Sequence, residues 1–401
     1  MRFTKKTSAL VMAATLGVAT EAANAIDPMP VNQNGPFEFI PTLKISQGYD
    51  DNVDASQDGD ERSSNVTKVA PTFLLRAQER ANRYQLRYTP TFQRYSRDSD
   101  DNRVNHLASA NSRLTLDARN RVNLGLNARR NQSTPDNEPD SEGASLEGDI
   151  NERYTLDGTY TFGARGATGR IELDGSYVWN RYANNLGKDS NNNRSKEYNS
   201  PRAGATFLWR VAPRTQLLIE GRYADFDYTW SGSGLDSTNL SALVGARWQA
   251  TAKTSGSVRV GQEEKDFDDA GQEDTSATRW QAQVNWRPAA HSRLRLNTAN
   301  SLNEGSATED AIEQTTYGLS WNYDWDGQVS SNVAYRFRDQ DYIGDDDGRN
   351  DELHTVSVGV SYSFRRWFDI GIETRFQDND STDKFESYDR NTYFLTATLS
   401  L

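Results

Sequence analysis

Apolar and polar residues alternate one by one over long stretches of this chain. Between 84 and 92, Tyr84, Leu86, Tyr88, Pro90 and Phe92 share one parity, and Gln85, Arg87, Thr89 and Thr91 share the other. The same beat recurs in Val122, Leu124, Leu126, Ala128; in Ile171, Leu173, Gly175, Tyr177, Trp179; in Leu240, Ala242, Val244, Ala246, Trp248; and in Tyr317, Leu319, Trp321, Tyr323, Trp325. A strand turns successive side chains to opposite faces, so each stretch reads as a strand with one apolar and one polar face. No stretch sustains a helical period. Eighteen such segments can be counted, beginning near 37, 66, 83, 104, 121, 152, 168, 200, 215, 238, 255, 277, 292, 313, 329, 353, 367 and 390. The last ends the chain as "NTYFLTATLSL" (391–401).

The connections between segments alternate in kind. One set is short, such as "DARNR", "RVAPR", "RPAAHS" and "DWDGQ". The other is longer, polar and mostly acidic, such as "DNVDASQDGDERSS", "DFDDAGQED" and "DYIGDDDGRNDE". Trp209, Trp248, Trp286, Trp325 and Trp367 each fall at or beside a short connection, at intervals of 39, 38, 39 and 42 residues. A period near 40 residues also occurs in propeller blades, which pack four short strands into it. Here each interval holds only two long segments, so the repeat is a hairpin and the tryptophans form a girdle along one rim.

Composition decides what the two faces meet. Hydrophobic residues make up 35% and mean hydropathy is -0.85, poor for a large dry core but suited to strands with one face in water. Trp, Tyr and Phe total 42, which is unlike a disordered chain. The absence of Cys excludes disulfides, thiolate metal sites and cysteine catalysis. The N-terminus is basic ("MRFTKK"), then apolar ("SALVMAATLGVAT"), then small-x-small at Ala23, Asn24 and Ala25, which reads as a signal peptide over 1–25. No later run is long and apolar enough for a membrane helix.

Apolar faces toward lipid and polar faces toward a watery lumen reconcile low hydropathy with strict alternation. The expected fold is therefore all-β: a transmembrane, antiparallel, up-and-down β-barrel of about 18 strands over 37–401, preceded by a periplasmic segment at 26–36. The strand "FEFIPTLKISQGYDD" (37–51) must pair with the last one, since no edge can be left in hydrocarbon. An even strand count puts both termini on the periplasmic side and the long loops outside the cell, in a bacterial outer membrane rich in lipopolysaccharide.

With its leader, strand number, acidic loops and "GYDDNV" (Gly48 to Val53), the chain resembles the outer-membrane barrels encoded in bacterial exopolysaccharide and capsule clusters, catalogued as β-barrel porins of the second type. The resemblance covers nearly the whole mature chain. It implies a conduit for a secreted polysaccharide, partnered by periplasmic export proteins, with no catalytic residues. The final Leu401 departs from the Phe that usually ends such barrels.

Parity also predicts what lines the lumen. Arg87, Arg113, Arg129, Arg170, Arg202, Arg222, Arg247, Arg259, Arg279, Arg295, Arg336 and Arg375 fall on the polar face. Asp157, Glu172, Asp174, Glu220, Asp324, Asp369 and Glu373 are the acids expected there. An excess of one sign favours passage of counter-ions, here anions such as acidic glycans. The alternative, that arginines and acids pair and stiffen the wall, has equal standing at this point. Apart from Tyr95 and Phe394, inward positions read as nearly free of aromatic rings, which argues against a stacked sugar slide.

The net charge of -12 is carried largely by the loops. Clusters such as "GDDDGRNDE" could hold divalent cations but lack the spacing of an EF-hand, and solvated acid runs are the commoner case. Nucleic acid is disfavoured as a partner. Catalysis finds little support: of the three histidines, His106 and His354 take the lipid-facing parity and His291 falls in a short turn. No enzyme activity and no cofactor are expected. The expected function is passive export of an extracellular polysaccharide through an Arg-rich lumen. A general porin for small anions and nutrients, or a surface structural or adhesion barrel, are the alternatives.

Overall fold

The computed structural model describes residues 30–32, 35–133, 148–187, 193–249, 251, 253–305, 309–345 and 347–400. The expected leader at 1–25, most of the acidic segment 131–149, Asp346 and Leu401 lie outside the described residues.

Eighteen strands are present among the described residues: β1 (Phe37–Asp50), β2 (Ser64–Glu79), β3 (Asn82–Tyr95), β4 (Arg103–Thr115), β5 (Asn120–Gln132), β6 (Ile150–Phe162), β7 (Gly169–Tyr182), β8 (Tyr198–Ala212) and β9 (Thr215–Tyr228). The second half runs β10 (Ser237–Trp248), β11 (Thr254–Phe267), β12 (Thr275–Ala289), β13 (Ser292–Glu304), β14 (Ala311–Asp324), β15 (Val329–Ile343), β16 (Asn350–Arg365), β17 (Phe368–Ser381) and β18 (Tyr388–Ser400). Each strand pairs antiparallel with its sequence neighbour, and β1 also pairs with β18, from Thr42 opposite Ser400 to Asp50 opposite Thr392. The sheet is a closed barrel. Closure satisfies backbone donors and acceptors that lipid cannot. At the long-loop end of the seam, Arg390 donates to both Asp50 carboxylate oxygens at 3.0 and 2.6 Å, and the Asn391 amide donates to Asp51 at 2.6 Å.

Connections alternate between rims as the sequence implied. Arg80–Ala81, 213–214, 290–291 and 366–367 are two-residue turns on one rim, whereas 51–63, 133–149 and 183–197 are long connections on the other. Three register shifts, at Arg210/Ala212, Trp286/Ala289 and Ser363/Arg365, all lie at the short-turn rim, where a bulge can bend a strand into its turn.

The outward face is an apolar surface. Leu86, Leu126, Leu156, Phe207, Ile219, Val244, Leu296, Val360, Ile372 and Leu395 all lie exposed on it. Trp209, Trp286, Trp325 and Trp367 form an exposed outward row at the short-turn rim. Trp248 sits differently, its ring lying over Gly256, where no β-carbon stands in the way.

Strands of 12 to 16 residues, rising about 3.3 Å per residue with a tilt of roughly 40°, stand about 30 to 40 Å tall. An outer-membrane apolar band is only about 25 Å tall. The excess projects on the long-loop side, where the outward parity turns acidic: Tyr223 is followed by Asp225 and Asp227, Phe337 by Asp339 and Asp341, and Phe376 by Asp378 and Asp380. Several loops read from the sequence as long are correspondingly short. In "DYIGDDDGRNDE", only 344–349 connects β15 to β16, and the rest is strand.

Candidate functional site in the barrel lumen

All twelve arginines assigned to the polar face occupy strand positions opposite in parity to the exposed apolar row: Arg87 on β3, Arg113 on β4, Arg129 on β5, Arg170 on β7, Arg202 on β8, Arg222 on β9, Arg247 on β10, Arg259 on β11, Arg279 on β12, Arg295 on β13, Arg336 on β15 and Arg375 on β17. Their surroundings divide the lumen in two.

Over the arc from β7 to β12, every one of these arginines except Arg202 meets a carboxylate. Glu172 accepts both guanidinium arms of Arg247 at 3.1 and 3.2 Å and also pairs with Arg170 at 3.0 Å. Glu220, 3% exposed, stands between Arg222 and Arg259, the latter donating Nε at 2.7 Å. Arg279 pairs with Glu263. Two of these pairs reach across intervening strands, Glu172 on β7 to Arg247 on β10 and Glu220 on β9 to Arg259 on β11, so they brace the curvature of the wall as well as neutralising charge. Asp157 and Asp174 lie recessed over Gly125 and Gly204, where a β-carbon would collide with the carboxylate.

Four of the twelve stand open. Arg87, Arg113, Arg295 and Arg375 are exposed on the lumen face and make no ion pair among the described residues. Arg113 and Arg295 lean on neutral acceptors, Asn123 Oδ1 at 3.3 Å and Asn285 Oδ1 at 3.2 Å. Arg202 rests over the Phe226 ring and donates to Ser200 at 3.0 Å.

The long-loop half of the lumen is packed. Pairing between β12 and β13 stops at Trp280 opposite Asn300, while β13 and β14 continue together to Glu304 opposite Ala311. The end of that hairpin leaves β12 and leans inward, with Leu302, Ala311 and Ile312 buried and the Leu302 amide donating to Glu263 at 3.0 Å. Glu304 then accepts from Lys265 Nζ at 2.7 Å and from Tyr228 Oη at 2.9 Å. Lys265 is fully buried; it also donates to Ser237 at 2.8 Å and faces the Phe226 ring. Tyr198, Phe226 and Tyr228, edge-on or tilted to one another, pack as one cluster with Val178 and Leu235.

This half corrects two expectations. Inward aromatic rings are not confined to Tyr95 and Phe394, because Tyr182, Tyr198, Phe226, Tyr228 and Tyr342 also point in and are buried. The inward acids include Glu263, Glu304, Asp50 and Asp351. Both sets sit on strand ends beyond the lipid band, where the outward face is no longer apolar and the alternation that marks a strand disappears. Parity carried past the last apolar residue of each strand could have found all of them except Glu304, which has the outward parity of Leu296 and enters the lumen only because its hairpin end leans inward.

The loops above carry their own pairs. Arg62 joins Asp54 at 2.5 Å to Asp101 at 3.3 Å, and burial pushes the Asp101 carboxyl up against the pull of Arg62. Among the described residues, no group of three or more His, Asp or Glu side chains is placed to hold a metal ion. Each histidine is engaged by a tyrosine: His106 Nδ1 with Tyr88 Oη and His354 Nδ1 with Tyr335 Oη, both at 2.9 Å on the outward face, and His291 edge-on to the Tyr323 ring.

The barrel is similar in fold to solved outer-membrane proteins. OpdK from Pseudomonas aeruginosa is 11% identical, with 91% of this chain and 98% of that one covered and a TM-score of 0.45. OccAB4 from Acinetobacter baumannii is 10% identical, with 92% and 100% covered and a TM-score of 0.46. The siderophore receptor PirA from Pseudomonas aeruginosa is 9% identical, with 90% and 80% covered and a TM-score of 0.45. No curated protein matches the sequence. A family model described as "Putative beta-barrel porin 2" matches residues 31–401, and the chain belongs to that family of outer-membrane barrels.

Proposed function

We propose that this barrel is an anion-preferring outer-membrane channel whose cargo is an acidic extracellular polysaccharide leaving the cell, with periplasmic export proteins delivering it. The observation that carries the reading is the set of exposed lumen arginines, Arg87, Arg113, Arg295 and Arg375, that make no ion pair among the described residues. Their fields add inside a bore walled by low dielectric, and this raises the local concentration of anions. The inward aromatics do not offer a sugar-stacking track, since all are buried, Tyr198, Phe226 and Tyr228 in one cluster and Tyr95 with Phe394 in another. A second reading, a porin for small anions, draws on the packed long-loop half, which narrows the bore more than a polymer would favour.

Reconstituted channels in a potassium chloride gradient should give a reversal potential of chloride-selective sign. The triple variant Arg87→Glu, Arg113→Glu, Arg295→Glu should reverse it. A cation-selective wild type ends the proposal. In cells, export requires that deletion abolish surface polysaccharide while its cytoplasmic precursors persist. Normal surface polysaccharide with impaired uptake of small anions decides for the second reading.

The orientation is part of the proposal. A protease site inserted after Gly232, in the 229–236 loop, should be cut on intact cells, and one after Ala290 should be protected until the outer membrane is opened. Cleavage only at Ala290 would invert the barrel.

A further inference from the structure

Two adjoining cavities open at the short-turn mouth of the lumen, of about 620 and 720 Å³. Either is the size of a small-ligand site, which spans about 300–1,000 Å³. Arg121 and Arg165 line both. Arg170, Arg210, Arg214 and Arg247 complete the basic lining of the first, and Arg80, Arg83 and Arg113 that of the second. The union is nine arginines against two acids, Glu172 and Asp117, and contains no lysine.

Both acids are already engaged. Glu172 holds Arg170 and Arg247. Asp117 accepts from the backbone amides of Arg119 and Asn120 at 2.6 and 2.9 Å and from the Asn120 side chain at 2.7 Å, folding its own turn. Arg121 is held by neutral carbonyls, Gly163 at 2.8 Å and Ala118 at 3.3 Å, which fix its direction and leave its charge uncompensated. Arg80 takes a left-handed φ of 53° in a two-residue turn, a conformation that favours glycine. A backbone that carries a long cationic side chain at such a position gives up stability for a guanidinium at the mouth.

We propose that this vestibule is the entry site for a polycarboxylate chain, bound through bidentate arginine contacts by several of its acid groups at once. The proposal rests on reading the lumen as an anion conduit and adds where the chain is first caught and by what chemistry. The guanidinium fork matches a carboxylate geometrically, as an ammonium does not, which fits a lining that is all arginine. Spacing the cations along an arc from the β2–β3 turn to β10 suits a linear polyanion better than a single small anion. Several contacts to one chain raise its effective concentration at the next site.

The test uses the full-length barrel in planar bilayers at low salt, with oligogalacturonate as probe and the neutral maltohexaose as control. Oligogalacturonate added on the short-turn side should block current at concentrations at least tenfold lower than from the long-loop side, and maltohexaose should not block. In the triple variant Arg121→Gln, Arg165→Gln, Arg214→Gln, short-turn block should need at least tenfold more oligogalacturonate. Anion selectivity of the open channel should persist, since Arg87 and Arg295 remain. Equal block from both sides, or an unaltered triple variant, overturns the vestibule while leaving the conduit intact; loss of anion selectivity in the wild type overturns the conduit instead. If the pore carries no current, calorimetric titration of the micelle-held wild type and variant gives the same comparison, and equal affinities refute the site.

Discussion

Leu126→Arg and Ile372→Arg should each destabilise the barrel by about 2–4 kcal/mol, whereas Asn127→Arg should change stability by no more than about 0.5 kcal/mol. Leu126 and Ile372 lie on the outward face, 46% and 59% exposed, on strands whose outward neighbours are Leu, Val and Ile. An arginine there must enter hydrocarbon, snorkel or thin the bilayer, each at a cost. Asn127 is one position from Leu126, exposed on the opposite face, where its side chain meets lumen water. Midpoints of urea unfolding in vesicles, together with the heat-dependent gel shift of folded barrels, measure the contrast. Equal loss at Leu126 and Asn127 would mean that the barrel has no lipid-facing side at this level.

That one-residue contrast is also why the fold was legible. A period of two needs only five or six residues to declare which face is apolar, and strands such as β5, β10 and β18 declare it without interruption through Leu124 and Leu126, Leu240 and Val244, Tyr393 and Leu395. Strand positions read this way start within three residues of those observed, and closure of β1 on β18 followed from the need to leave no edge in lipid. Inward parity of the arginines came with it, because parity needs no contact information.

Partnership was another matter. Whether Arg247 stands open or meets Glu172 depends on curvature that brings β7 under β10, and no local pattern encodes that. The packed end of the lumen was hidden for a different reason. Around Lys265 both faces of the strand are polar, Glu264 and Asp266 outward and Glu263 and Lys265 inward, so the sequence looks like loop although it continues the ladder of β11. Phe226 and Tyr228 are similarly embedded in "DFDY", where the flanking acids suggest a solvated connection. Of the arginines at the short-turn mouth, Arg113, Arg170 and Arg247 followed from parity, whereas Arg80, Arg165 and Arg214 belong to turns, where face has no meaning until the chain is folded.

Glu220→Gln should lower stability by about 3 kcal/mol and, in the same protein, strengthen the preference for anions. The carboxylate is 3% exposed and serves Arg222 and Arg259 together, with Thr206 Oγ1 donating to it at 3.3 Å. Glutamine keeps the shape and one acceptor but removes the charge, leaving two guanidinium groups side by side. Arg259 is the more buried, at 14% side-chain exposure, and its other contact is Gln281 at 3.4 Å, too weak to compensate. Arg222, at 35%, can turn toward lumen water, which keeps the expected loss at the low end of the range for breaking a buried pair. Adding Arg259→Leu to Glu220→Gln should recover at least about 1 kcal/mol relative to the sum of the single changes, as expected for residues in one network. Strict additivity would show that Glu220 and Arg259 do not depend on each other. The transport readout moves the opposite way, because Glu220 neutralises part of the arginine field it helps to hold in place. A Glu220→Gln channel with unchanged selectivity would place that field outside the permeation path and assign the pair to the wall alone.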